Sequence, residues 1–277
     1  MPYPVRIQRD VVYRTAEGYW CQAPSSWPVP LLGQLLQSRK RRSLDLKMDI
    51  YLPEGDPPGN RPLLLMLHGG AYWIGNKEEK GQAGWCRHFA SLGYVAVSAD
   101  YRLGFSPSGK GLRKAEADAL SDCAEALRVL LSREALRIDP GRVFLAGTSA
   151  GGAIALSLAY APPGNMPSCR IRAIGNLWGY VRNLDILRSA RVPILSFQSV
   201  LDPAVPYEEG YLLGLRIAGH AYGTRAVHEQ AGRLGIPSEH HPVPRKGHRL
   251  HLDAQDHLTP LFYEIQDALT DFFGREL

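Results

Sequence analysis

A serine interrupts what would otherwise be uniform core sequence. The stretch Val143 to Tyr160, VFLAGTSAGGAIALSLAY, is apolar except for the glycines clustered around Ser149, and it then resumes at helical spacing. GTSAG, residues 147–151, fits G-x-S-x-G between a strand and a helix. Such a turn strains the serine backbone and lifts its hydroxyl clear of the sheet. Gly147 and Gly151 then meet a steric need, because neighbouring backbone passes where a Cβ would stand. The helix N-terminus adds N–H groups and a dipole that favour negative charge beside the hydroxyl. The chemistry is nucleophilic attack on a carbonyl carbon. A phosphate loop is the rival, but the chain has neither G-x-x-x-x-G-K-S/T nor G-x-G-x-x-G.

Attack on a carbonyl creates an oxyanion, which needs preorganised donors worth roughly 3 kcal/mol each. The stretch LMLHGGAYW, residues 65–73, ends an apolar run in a flexible turn. Backbone N–H groups of Gly70 and Ala71, joined by that of Ala150, are the expected donors, with His68 bracing the loop. The serine also needs a base, and the base an orienting carboxylate, in the order Ser, acid, His along the chain. SVLDPAVPY follows the apolar run 194–198 and places Asp202 just past a strand end. Asp185 falls in a different connection, and Glu208 is expected to begin a helix. Of nine histidines, His240 and His241 fall in the last strand, His228 on a helix and His257 beyond the turn. His248, directly after PRKG, is the expected base, and His251 is its rival. Tyr72, Trp73, Trp178 and Tyr180 follow strands and are candidates for substrate contact or for loop packing.

The elements that must position these groups alternate strand and helix, which predicts a mostly parallel sheet covered on both faces. Strands are expected at 10–14 and 44–52, as an antiparallel edge, then at 63–67, 94–99, 143–146, 171–177, 194–198 and 239–243. Helices are expected at 78–92, 113–136, 150–161, 223–234 and 258–273. On the second of these helices, 113–136, Ala115, Ala119, Cys123, Ala126, Leu127 and Leu130 form a stripe that buries against a sheet. The 277 residues suit one domain, with residues 1–43 as an extension able to cover the site.

Lys and Arg total 32 against 27 Asp and Glu, a formal charge of +5. The one basic block, Arg39 to Arg42, has no aromatic interleaving or nucleic-acid motif and reads as a solvated loop. No apolar run approaches the roughly 18 residues of a membrane span. The first 18 residues have no signal-peptide core, so a cytoplasmic protein or a mature secreted form is expected. Cys21, Cys86, Cys123 and Cys169 lack C-x-x-C spacing, which argues against a metal or redox motif and favours reduced thiols over disulfides.

These residues together resemble the α/β-hydrolase superfamily, and within it carboxylesterases of the hormone-sensitive-lipase-like and feruloyl or acetyl-xylan esterase-like kinds. The resemblance rests on MDIYLP (48–53), HGGAYWIGNK (68–77), GYVAVSADYRLG (93–104), IDPGRVFLAGTSAGG (138–152), VPILSFQSVLDPAVPY (192–207) and the stretch from LGIPSEHH through GHRLH (234–251). Relatives of this kind often have His-Gly where this chain has Gln198-Ser199, and a third glycine in place of Ala71. Neither departure removes a catalytic group. The resemblance implies an α/β-hydrolase fold with about eight strands and no large lid domain, and ester hydrolysis without cofactor or metal. A small-molecule or carbohydrate-linked ester is the expected substrate. Amide hydrolysis and a binding protein that has lost catalysis are the alternatives. Asp100, Tyr101 and Arg102 are read as anchors beneath the site, and residues 14–43 and 208–222 as segments able to roof it. Oligomeric state is left open.

Overall fold

The computed structural model describes residues 2–23, 40–55, 59–104 and 109–277. The main-sheet strands are β1 (Val5–Gly18), β2 (Arg42–Pro53), β3 (Arg61–Leu67), β4 (Val95–Ala99), β5 (Ile138–Thr148), β6 (Ile171–Leu177), β7 (Ile194–Leu201) and β10 (Ser238–Lys246). They lie in the order β1-β2-β4-β3-β5-β6-β7-β10. β2 runs antiparallel to both β1 and β4, and every later pairing is parallel. Among the described residues five helices follow in chain order: α1 (Lys80–Ser91), α2 (Gly109–Leu131), α3 (Ala150–Tyr160), α4 (Thr224–Arg233) and α5 (Pro260–Arg275). This is the α/β-hydrolase fold, and among the described residues no large lid is inserted.

Strand periodicity divides the core between the two faces of the sheet. Leu63, Leu65, Leu67, Val95, Val97, Val143 and Leu145 point to the side covered by α2, α3 and α4. Leu64, Met66, Ala96, Phe144 and Ala146 point to the side where α1 and α5 bring Trp85, Phe89, Phe262 and Phe273. The α2 stripe packs as its spacing requires, with Ala119, Cys123, Ala126, Leu127 and Leu130 fully buried.

Several boundaries differ from the sequence reading, each for a physical reason. β1 is 14 residues long, yet it is an edge strand with mostly polar, part-exposed side chains and a break at Asp10, whose φ is 55°, so alternation marks only its middle. α2 starts at Gly109 and stops at Leu131, before a separate 3-10 turn, Glu134–Leu136, that Arg137 closes in left-handed conformation. Glu208 does not begin a helix. It precedes a short hairpin, β8 (Glu209–Tyr211) with β9 (His220–Tyr222), that the sequence reading lacked. All four cysteines are free thiols. Of the expected extension 1–43, β1 joins the sheet and Ala23 bridges to Gly75, while 24–39 lies outside the described residues.

Buried charge fixes the loops below the site. Asp122, with a fully buried side chain, takes Arg102 through Nε–Oδ2 and Nη2–Oδ1 contacts of 2.8 Å each and Arg14 at 2.9 Å. Lys77, also buried, sits 2.9 Å from Asp49, while its N–H donates to Asp100 at 2.7 Å. His68 closes β3, stacks on Tyr101 at 4.2 Å and donates Nδ1–H to the Gly69 carbonyl at 2.7 Å. Complete burial lowers its pKa from 6.5 to about 4.

Two stability tests follow from these groups. Asp122→Ala leaves Arg102 buried without its carboxylate, and denaturant titration should give a loss of about 3–5 kcal/mol. Arg188→Ala at the exposed pair with Asp185 should cost less than about 1 kcal/mol. Equal losses would remove the special role of Asp122. In the second test, His68 stays neutral in the fold while its unfolded counterpart protonates, so its stabilisation is complete above pH 6.5 and is lost as pH falls towards 4. The loss amounts to about 3 kcal/mol. Burial lifts Asp100 to about 6, which acts with the opposite sign in an overlapping window, so a variant must isolate His68. Between pH 7 and 4, Tm should fall less steeply in His68→Asn than in the wild type; parallel curves would contradict this.

Candidate active site

The turn from β5 into α3 places Ser149 at φ 53°, ψ −117°. β5 lies at the centre of the sheet, and its neighbours enforce this conformation. Ser149 N–H donates to Leu177 of β6 at 2.8 Å, and its carbonyl accepts from Ala153 N–H at 3.0 Å. α3 passes so close to β3 that a Cβ on Gly151 would lie 2.1 Å from the Leu67 carbonyl oxygen, and only glycine permits that approach. The serine Oγ therefore stands at the C-terminal edge of the sheet.

Two more loops converge on the same edge. Asp202 follows β7 directly, and its Oδ1 accepts the N–H groups of Ala204 at 2.8 Å and Val205 at 3.1 Å. His248 follows β10, with Nδ1 2.9 and 2.8 Å from the two Asp202 oxygens and Nε2 2.8 Å from Ser149 Oγ. A carboxylate only accepts, so Nδ1 carries the imidazole proton and Nε2 faces the hydroxyl with its lone pair. The Asp202 side chain is fully buried and that of His248 is 20% exposed. The sequence rivals have other partners: Asp185 pairs with Arg188, Glu208 with Arg225, and the buried His251 faces Glu79 at 3.7 Å.

Sequence reasoning overlooked Gln198, noting it only as a departure from relatives. This fully buried amide donates to the Val205 carbonyl at 2.9 Å and accepts from Thr224 N–H at 3.0 Å, while its Nε2 lies 3.4 Å from Asp202. It thus ties the acid-bearing turn to the start of α4. Ser199 bonds the Arg245 carbonyl and holds the turn to β10. Single buried polar side chains near the end of an apolar strand have no periodicity, so no sequence signal pointed to them.

The HGGAYW loop carries left-handed backbone at Gly70, Ala71 and Tyr72 in succession, with φ of 108°, 52° and 61°. The Gly70 carbonyl closes it by accepting from Trp73 and Ile74 N–H at 2.9 and 3.0 Å. A Cβ on Gly70 would stand 2.0 Å from the Ile74 carbonyl oxygen. Among the described residues, the N–H groups of Gly70, Ala71 and Ala150 donate to no backbone carbonyl, and all three residues border the cavity beside Ser149.

That cavity measures about 510 Å³. Tyr72, Trp73 and Tyr180 border it, and Tyr180 is pinned through its hydroxyl to Glu116 at 2.9 Å. Trp178, by contrast, does not line it. Its indole packs edge-on to His248 at 6.5 Å and against His251 at 5.0 Å, so its place is behind the imidazole rather than against a substrate. The 208–222 segment forms one wall, bordering the cavity with Leu212, Leu213, Leu215, Ile217 and Ala218. Arg182 holds this wall by donating to the Ala218 and His220 carbonyls at 3.0 Å each. Among the described residues no group of three or more His, Cys, Asp or Glu is placed to hold a metal, and no helix is long and apolar enough to cross a membrane.

Residues 64–179 match a family model described as having the alpha/beta hydrolase fold. Methylphloroacetophenone synthase of Cladonia uncialis is 37% identical over 130 residues, which cover 44% of this chain and 5% of that protein. Para-nitrobenzyl esterase of Bacillus subtilis is 32% identical over 160 residues, 54% of this chain and 31% of that protein. The chain thus spans a small part of either relative. Among solved structures, Thermogutta terrifontis esterase 2 phosphorylated by paraoxon superposes with a TM-score of 0.67 at 19% identity, over 98% of this chain and 94% of that one. With the sheet order and the strand-to-helix turn at Ser149, these similarities show that the chain has the α/β-hydrolase fold.

Proposed function

We propose that the chain is a carboxylic ester hydrolase working through Ser149, His248 and Asp202 by way of an acyl-enzyme. The observation that carries the reading is the continuous relay from hydroxyl to imidazole to carboxylate, with contacts of 2.8 Å at both ends of the ring. His248 Nε2 takes the hydroxyl proton as Ser149 attacks the ester carbonyl, and Asp202 stabilises the imidazolium that forms. The N–H groups of Gly70, Ala71 and Ala150 receive the oxyanion. His248 then protonates the departing alcohol. Water enters and attacks the acyl carbon as it gives a proton to the same nitrogen, and that proton passes to Ser149 Oγ as the acyl–Oγ bond breaks and the acid leaves. Tyr72, Trp73 and Tyr180 provide the aromatic part of the substrate wall. The para-nitrobenzyl esterase similarity supports an ester as substrate, as does the largely apolar cavity wall.

Hydrolysis of short-chain p-nitrophenyl esters tests this. Ser149→Ala and His248→Ala should each lower kcat by about 10⁴-fold or more, and Asp202→Asn by about 10⁴-fold, with circular dichroism unchanged. An inert wild type, or turnover that survives Ser149→Ala, would contradict the reading. Faster cleavage of an aminoacyl anilide than of any ester would move it to amide hydrolysis.

A further inference from the structure

The cavity beside Ser149 is not lined by apolar groups alone. It carries Glu79, Arg249 and His251. Glu79 precedes α1 and is buried, with Oε1 3.3 Å from Arg249 Nη2 and 3.7 Å from His251 Nε2. Arg249 also reaches Asp256 at 3.4 Å. Burial acts to raise the Glu79 carboxyl, but His251 and Arg249 outweigh it and hold the group below its ordinary value.

His251 is 1% exposed, and its surroundings leave one edge of the ring unexplained. Trp85 stacks on it at 5.4 Å, and the Trp178 indole packs against it at a tilt, 5.0 Å away. The Cδ2–Nε2 edge abuts α1, where a Cβ on Gly81 would come within 2.7 and 2.8 Å of those atoms. The remaining edge carries Nδ1. Among the described residues neither ring nitrogen has a hydrogen-bond partner, and a buried polar atom in that state calls for a ligand or water.

We propose that Glu79, Arg249 and His251 form a polar subsite for a hydroxyl group carried by the ester substrate. The inference rests on reading the neighbouring relay as an ester hydrolase. Glu79 can only accept, so it favours the imidazole proton on Nε2 and leaves Nδ1 as an acceptor. The complementary group must donate. A carboxylate would meet Glu79 and Asp256 against one arginine, and an ammonium would meet Arg249. A neutral hydroxyl donates to His251 and can accept from the guanidinium. The substrate class is therefore an ester with one apolar limb, towards Leu212 and Ile217, and one hydroxylated limb. Apolar pockets discriminate weakly between similar ligands, whereas a site that must hydrogen-bond a hydroxyl rejects the analogue lacking it.

Two matched pairs test this, because the hydroxyl can sit on either limb: glycerol monobutyrate against propyl butyrate, and p-nitrophenyl 3-hydroxybutyrate against p-nitrophenyl butyrate. The readout is the ratio of kcat/KM within a pair, in which any general loss of active enzyme cancels. In at least one pair the wild type should favour the hydroxylated ester by about 10-fold or more, and His251→Phe, which keeps a ring against the indoles, should bring the ratio to within about 2-fold of unity. If His251→Phe does not fold, Glu79→Gln is read in the same way. Ratios near unity for both pairs in the wild type, or a preference that survives the substitution, overturn the subsite. Calorimetric affinities of the same esters for Ser149→Ala give the ratio without turnover. An enzyme that hydrolyses nothing thus refutes the esterase reading, while the binding ratio still decides the subsite.

Discussion

The backbone at Ser149 is the constraint on which the site depends. A non-glycine residue at φ 53°, ψ −117° costs about 1–3 kcal/mol and persists only where its surroundings over-determine it. Here they do. β5 is clamped between β3 and β6, the Ser149 N–H is bonded to Leu177, and α3 crosses against the Leu67 carbonyl with no Cβ between. The strain is confined to one residue, and it directs a hydroxyl off the sheet edge where two other loops arrive.

Those loops are fixed by different means. Asp202 is pinned locally, by the N–H groups of its own turn and by Gln198 beneath it. The imidazole of His248 is held by the carboxylate at one nitrogen and by the Trp178 indole along its side. Burial of the carboxylate strengthens this hold, because hydrogen bonds between charged groups gain in a low dielectric. The facing HGGAYW turn has its own foundation in the buried Lys77–Asp49 pair and in His68 packed on Tyr101. Rigidity of this kind gives preorganised donors their value on the proposed reading.

Much of this was legible in the sequence because the relevant constraints are local. Steric demand writes glycine at 147 and 151, buried parallel strands write short apolar runs, and a strand end followed by Asp-Pro writes a turn. The mostly parallel sheet with its antiparallel edge followed less directly, from alternation of strand and helix and from the resemblance, whereas the strand order came from the structure alone. Position after the last strand selected His248 over His251, and the coordinates separate the two by burial. What stayed hidden depends on distant or irregular contacts. The sequence leaves Trp178 open between substrate contact and loop packing because its neighbours do not reveal which side of the strand end it takes, and in the structure, at a φ of 48°, it packs beside the His248 imidazole. Three-residue strands such as β8 and β9 have no periodicity to read. Gln198 and Glu79 act through partners 7 and 172 residues away, beyond any local pattern.

The central claim is that one hydroxyl, held by a strained turn against His248, is the reacting nucleophile. Inactivation with paraoxon followed by peptide mass mapping tests it most directly. The account predicts a single diethyl phosphate on the peptide that contains Ser149, appearing in step with loss of esterase activity and absent from His248→Ala over the same interval. A phosphorylated residue elsewhere with Ser149 unmodified, or full activity after Ser149 is modified, would contradict it.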